Sequence, residues 1–139
     1  MIAAAIQLVP KNIPREHHGR TVAGIDCVGL IFLTYRLAGR SIDHLDMPYG
    51  HLGERASNPA MLNLLHRAVS SGEFREIDRA QCGEDGDIVL FRCQMVMSSG
   101  SMVHAGIVVD QRVYHMTDRL LRLSLRRFRP YVTSCLRHV

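Results

Sequence analysis

Hydrophobic positions fall into two textures along the chain. The first half holds apolar blocks broken by prolines and glycines, and the second holds short alternating runs. Ile2 to Val9 is Ala-rich and stops at Pro10, which predicts a short helix ended by proline. Residues 10–24 carry prolines, glycines and charges without periodicity and read as a loop. Asp26 then precedes CVGLIFLTYRLA, apolar nearly all round and followed by Gly39. An aspartate accepts the orphan N–H groups of a first turn and a glycine suits the closing left-handed cap, so a buried helix is predicted over about 27–38. Residues 40–57 are irregular. Asn58, as N-cap, and Pro59, at the first helical position, open a second helix that ends near Ser70. Beyond it FREI, DIVLFRC, MVHAGIVVD, RVYHM, LRLSL and YVTSCLRHV are short, β-branched or alternating, with turn signals at GEDGD and SSGS between them. Asp110-Gln111 joins two of these runs as a tight hairpin. Helices first and strands afterwards predict an α+β fold, N-terminal helices packed on an antiparallel sheet.

At 139 residues the chain suits a single domain spanning 1–139, long enough for a sizeable core. Hydrophobic residues make up 47% and charged residues 22%, which excludes disorder, collagen and coiled coil. The apolar runs fall far short of the roughly 18 residues of a membrane span, so none is predicted. No Lys or Arg precedes the apolar start, so no signal peptide is expected and synthesis is placed in the cytoplasm. The four cysteines, at 27, 82, 93 and 135, show no C-x-x-C spacing, and without a secretion signal free thiols are the expectation.

The net charge of +4 is uneven. Residues 1–100 carry ten basic against eleven acidic side chains, net −1, whereas residues 101–139 carry seven Arg against Asp110 and Asp118, net +5. Arg119, Arg122, Arg126, Arg127, Arg129 and Arg137 could attract an acidic protein, nucleic acid or an acidic polymer such as cell wall, or could simply form a solvated face.

Three residues stand where chemistry is made. Cys27 opens the buried helix, where unpaired N–H groups carry partial positive charge and favour a thiolate of lowered pKa. His104 lies in a strand and His115 in the next. An imidazole beside a thiol can take its proton and later give it to a leaving amine, and a third polar group orients that ring. Spacing alone leaves the alternatives of an inert core cysteine and ordinary strand histidines. Asp26 is most simply a helix cap, with contact to a substrate amine as the sharper alternative. Gly29 is expected to let its helix approach the sheet, and Gly86 to serve a turn. Tyr49 and Tyr114 read as packing residues with a polar tip. His17 and His18 could join His44 or His51 as metal ligands, but the spacing is irregular and exposed loop histidines are the better reading.

GIDCVGL (24–30), GDIVLF (86–91), HAGIVV (104–109) and VYHM (113–116), in this order and spacing, resemble the NlpC family of cell-wall cysteine peptidases, which have a compact papain-like fold. The likeness runs from about Ile13 to the C-terminus. It implies Cys27 as nucleophile, His104 as general base and His115 as the group that orients it, with no metal or organic cofactor. It implies a peptide bond of peptidoglycan as substrate, usually γ-D-glutamyl to diaminopimelate. The valine of DCVGL and the upstream HHGR resemble the branch found in phage tails and tail-like particles, which implies tail proteins as partners, action at the bacterial wall, and no nucleic acid. Family members commonly have serine after the nucleophile, where this chain has Val28. Many have an upstream tyrosine near the oxyanion, where it has Arg15, beside His17 and His18. By position these three join Asp26 as substrate-binding candidates. The rivals are a tail assembly protein that keeps the fold and docks through its basic face, a CHAP-type amidase, and an acyltransferase of the lecithin-retinol type. The last is disfavoured by the order Cys, His, His.

Overall fold

A computed structural model describes residues 1–49, 57–93 and 102–139. His51 and the SSGS turn lie outside the described residues. Helix α1 (Ile2–Gln7) precedes a hairpin of two very short strands, β1 (Arg20–Thr21) and β2 (Gly24–Ile25), and then come α2 (Cys27–Leu37) and α3 (Ser57–Ser70). Six strands follow: β3 (Phe74–Ile77), β4 (Ile88–Cys93), β5 (Met102–Val109), β6 (Arg112–Met116), β7 (Leu120–Ser124) and β8 (Val132–His138), with a one-turn helix α4 (Leu125–Phe128) before the last. These six form one sheet in the order β3-β8-β4-β5-β6-β7, and every neighbouring pair is antiparallel. The expected α+β fold is the one observed.

Side-chain alternation gives this sheet two apolar faces. On one, Ile88, Leu90, Ala105, Ile107, Val109, Tyr114, Met116 and Leu136 pack with α1 and α2 in the main core. On the other, Val89, Phe91, Val108, Val113, Val132 and Cys135 pack with Cys82, Leu125 and Phe128 in a smaller core. The predicted run LRLSL ends as a strand at Ser124. Leu125 and Phe128, one helical turn apart, roll over the second face and bury themselves there (1% and 8% exposed). Burial of those two side chains outweighs the strand preference of the run.

The predicted loop 10–24 contains β1 and runs into β2, a hairpin that two residues per strand leave without a readable alternation. Asp110-Gln111 is a two-residue hairpin turn with φ of 51° and 61° at its two residues, the left-handed pair that matches the twist of flanking strands. Neither residue is glycine. The tie from Asp110 N–H to Asp85 Oδ1 (2.7 Å) and from Gln111 Nε2 to the Gly83 carbonyl (2.8 Å) holds them in place. Among the described residues no helix is long and apolar enough to cross a membrane.

Candidate active site

Asp26 caps α2, its Oδ1 accepting from Gly29 N–H at 2.7 Å, and Cys27 is the first helical residue. The α2 helix packs its N-terminal half on β5, and the backbone amides of Ala105 and Val28 are directed at the Cys27 sulfur. Ala105 immediately follows His104. Cys27 is 2% exposed, and burial, with the Asp26 carboxylate adding to it, pushes the thiol up to about 12. The two amides and Arg15 pull the other way. The expectation of a lowered pKa is therefore corrected: the helix start acts in the predicted sense, but removing the thiolate from water costs more than half a unit of helix charge returns. Burial thus favours the neutral thiol at Cys27.

His104 and His115 share the second face of the sheet. His104 is half-buried, its ring 6.0 Å from that of Phe91. His115, 5% exposed, lies edge-on to Phe91 (5.4 Å) and near Phe128 (5.2 Å). Burial, followed by the nearby His104, lowers His115 to about 4. Burial, followed by Arg15, holds His104 below its ordinary value. Both shifts favour the neutral imidazole. No hydrogen bond joins them: His104 Nε2 and both nitrogens of His115 are buried without a partner. Two residues past His104 on β5, Gly106 lets β6 approach closely, because a Cβ there would meet Val113 Cγ1 at 2.8 Å and the Tyr114 carbonyl at 2.9 Å.

Arg15 is bridged to Ile25 of β2 and lies close enough to act electrostatically on both Cys27 and His104. Arg15 is the group common to the surroundings of both, while Cys27 belongs to the main core and His104, with His115 near it, stands against Phe91 of the smaller one. The other candidates gather on the far side of the α2 cap. Asp26 has no exposed surface and accepts from His18 N–H (2.7 Å), Arg20 Nη1 (3.1 Å) and Tyr49 Oη (2.7 Å) besides Gly29. His18 also meets the Met47 carbonyl at 3.1 Å through Nε2. The His17 ring stands edge-on to Tyr49 at 5.6 Å. Gly29 admits this network rather than the sheet, since a Cβ there would run into the Gly19 carbonyl and crowd Arg20. Every acceptor site of Asp26 is used within the chain, as a helix cap requires.

Arg20 and Asp46 escaped the sequence reading. Arg20 forks onto Asp46 through Nε (2.8 Å) and Nη2 (3.0 Å), reaches Tyr49 Oη at 2.6 Å, and lies over the Phe32 and Tyr49 rings at 5.2 and 5.3 Å. The only signal was HHGR just upstream of the cap. Nothing in the sequence marked Asp46. His44 is hydrogen-bonded to Glu73 on the surface. Among the described residues Cys82, Asp87 and Cys135 are the group close enough to share a metal ion; the two cysteines belong to the smaller core, whereas Cys27 belongs to the main one.

No sequence family matches the chain, and no curated protein matches it. Solved structures do. A Staphylococcus aureus protein described as similar to lipoprotein, NLP/P60 family, superposes with TM-score 0.57 at 19% identity, covering 99% of this chain and 40% of that one. The NlpC/p60 domain of the peptidoglycan hydrolase SagA gives 0.54 at 17%, covering 98% and 95%. NlpC1 from Trichomonas vaginalis gives 0.52 at 18%, covering 96% and 42%. The chain thus spans about two fifths of the first and third of these, and nearly all of the SagA domain. The fold is that of the NlpC/P60 papain-like domains.

Proposed function

We propose that the chain is a thiol hydrolase that cleaves a peptide bond in peptidoglycan stem peptides, γ-D-glutamyl to diaminopimelate being the bond the resemblance implies. The observation that carries this reading is the Cys27 sulfur set against the amide of Ala105, one residue beyond His104. This supports a thiol at a helix start acting with the imidazole borne by the neighbouring strand. As the substrate carbonyl arrives, the thiol proton passes to His104 and Cys27 Sγ forms the C–S bond. His104, now imidazolium, protonates the departing amine as the C–N bond breaks. Water then gives its proton to His104 and its oxygen to the thioester, which frees the acid and restores the thiol. The Cys27 N–H stabilises the oxyanion at the start of α2, and Arg15 adds positive charge on the same side. His115 acts through His104. The enzyme is delivered to the wall by a phage tail or tail-like particle, the setting the resemblance implies.

Digestion of purified peptidoglycan by the wild type and by Cys27→Ala, with products identified by mass spectrometry, tests it. New stem-peptide fragments from the wild type alone are expected, and their mass identifies the bond. Equal inertness of both proteins would overturn it. Arg112, Arg119, Arg122, Arg126 and Arg127 are all exposed, which favours a second reading in which the same fold docks an acidic tail protein. That role would survive Cys27→Ala.

A further inference from the structure

Two cysteines that the proposed hydrolysis does not use meet in the smaller core. Cys82 follows the short turn after β3, and Cys135 lies in β8, 53 positions later. Their sulfurs are 2.7 Å apart, both residues are buried (3% and 0% exposed), and Val89, Leu125 and Phe128 belong to the same cluster. Asp87 completes a group with the spacing of metal ligands, yet its oxygens are occupied. Oδ2 accepts from Gly83 N–H (2.9 Å), Glu84 N–H (3.0 Å) and Arg137 Nη2 (2.9 Å), and Oδ1 from Arg137 Nε (3.0 Å). A cation would also have to sit beside the Arg137 guanidinium. Two thiols and a saturated carboxylate make a poor metal cage. They leave a dithiol.

We propose that Cys82 and Cys135 are a redox site that closes to an intramolecular disulfide with a small-molecule disulfide such as oxidised glutathione. The Cys82 thiolate attacks one glutathione sulfur, breaking its S–S bond and expelling a glutathione thiolate. Cys135 gives its proton to that thiolate and attacks the Cys82 sulfur, expelling the second glutathione, which takes the proton first released by Cys82. One glutathione disulfide is reduced to two thiols as the protein dithiol is oxidised. Cys82 is the attacking group because its sulfur accepts the Cys135 S–H, which holds the Cys82 thiol below its ordinary value against the opposing effects of burial and Asp87. The bond staples the turn before β4 to β8 across a long loop, which restricts the unfolded chain. Burial makes closure slow in the folded protein and fast during folding.

The test refolds the full chain in a mixed reduced and oxidised glutathione buffer, blocks remaining thiols, and maps peptides without reduction. The expected result is a Cys82–Cys135 linked peptide as the main product, with Cys27 and Cys93 alkylated. Thermal melting should rise by about 5–15 °C over the reduced protein. The rise should vanish with dithiothreitol and in both Cys82→Ser and Cys135→Ala. A linkage through Cys27 or Cys93, a persistent glutathione adduct on Cys82, or absence of any linked peptide would overturn the proposal. So would stoichiometric zinc binding lost in either variant, which would make the group a metal site. Every readout is independent of peptidoglycan cleavage.

Discussion

Arg20 and Asp26 form an ion pair almost wholly out of water: Nη1 lies 3.1 Å from Oδ1, with 11% of one side chain and none of the other exposed. A buried carboxylate is tolerated only while its partners remain. This pair anchors the 18–20 segment and the 46–49 segment to the cap of the helix that carries Cys27. Arg20→Met is expected to destabilise the fold by about 3–5 kcal/mol, because it removes the cationic partner of a buried carboxylate. Arg20→Lys should recover only part of that, since an ammonium cannot fork onto Asp46 and lie over Tyr49 at once. Urea unfolding of the three proteins measures it. A loss below about 1 kcal/mol in Arg20→Met, typical of an exposed pair, would show that the network is solvated.

Stability should fall with acidity through His115. Its pKa drops from 6.5 to about 4 on folding, so above pH 6.5 neither state binds a proton there and the ring costs nothing. Between pH 6.5 and 4 the unfolded chain takes up a proton that the native protein refuses, and stability declines with falling pH. The whole decline is at most about 3 kcal/mol. Between pH 6.5 and 4 the melting temperature of the wild type should fall relative to that of His115→Gln, which has no such titration. Parallel curves would remove His115 as the cause.

The same ring distinguishes positioning from packing. His115→Ala should keep the fold and lower turnover, and His115→Asn or His115→Gln should restore part of the rate if a hydrogen bond to His104 forms once substrate is bound. Muropeptide cleavage is read beside thermal melting. Full activity in the Ala variant removes His115 from the mechanism, and activity lost only in proportion to stability makes its role structural.

Arg15 lowers His104 through its charge and also favours the Cys27 thiolate. Arg15→Met should therefore move the acid limb of kcat/KM to higher pH, because His104 then holds its proton longer, and should reduce kcat at the plateau. Arg15→Lys should resemble the wild type in the position of that limb. An unmoved limb in the Met variant would separate Arg15 from the site.

Gly106 is the steric condition for bringing β5 and β6 together beside the imidazoles. Gly106→Ala should destabilise by about 1–3 kcal/mol, since Val113 and the Tyr114 carbonyl must give way. Turnover should fall further than stability explains. Wild-type stability in the Ala variant would show that the strands separate freely there.

Much of this protein was legible in one dimension because its signals are local. Asp26 before an apolar dozen, Gly39 after it, and alternating runs from Phe74 onward specify α2 and the sheet strands through capping and side-chain period alone. The placing of Cys27 at a helix start, and of His104 and His115 on successive strands, follows from the same signals. Two-residue strands and the one-turn α4 were hidden because so few residues carry no period, and Leu125 and Phe128 are drawn into a helix by the apolar face they cover. What tertiary structure alone decided is electrostatic and long-range. The Arg20–Asp46–Tyr49 network joins segments with no common motif. The protonation state of Cys27 follows from burial, which outweighs the helix-end charge visible in the sequence. The meeting of Cys82 with Cys135 follows from β8 inserting between β3 and β4, and no spacing in the chain announces that.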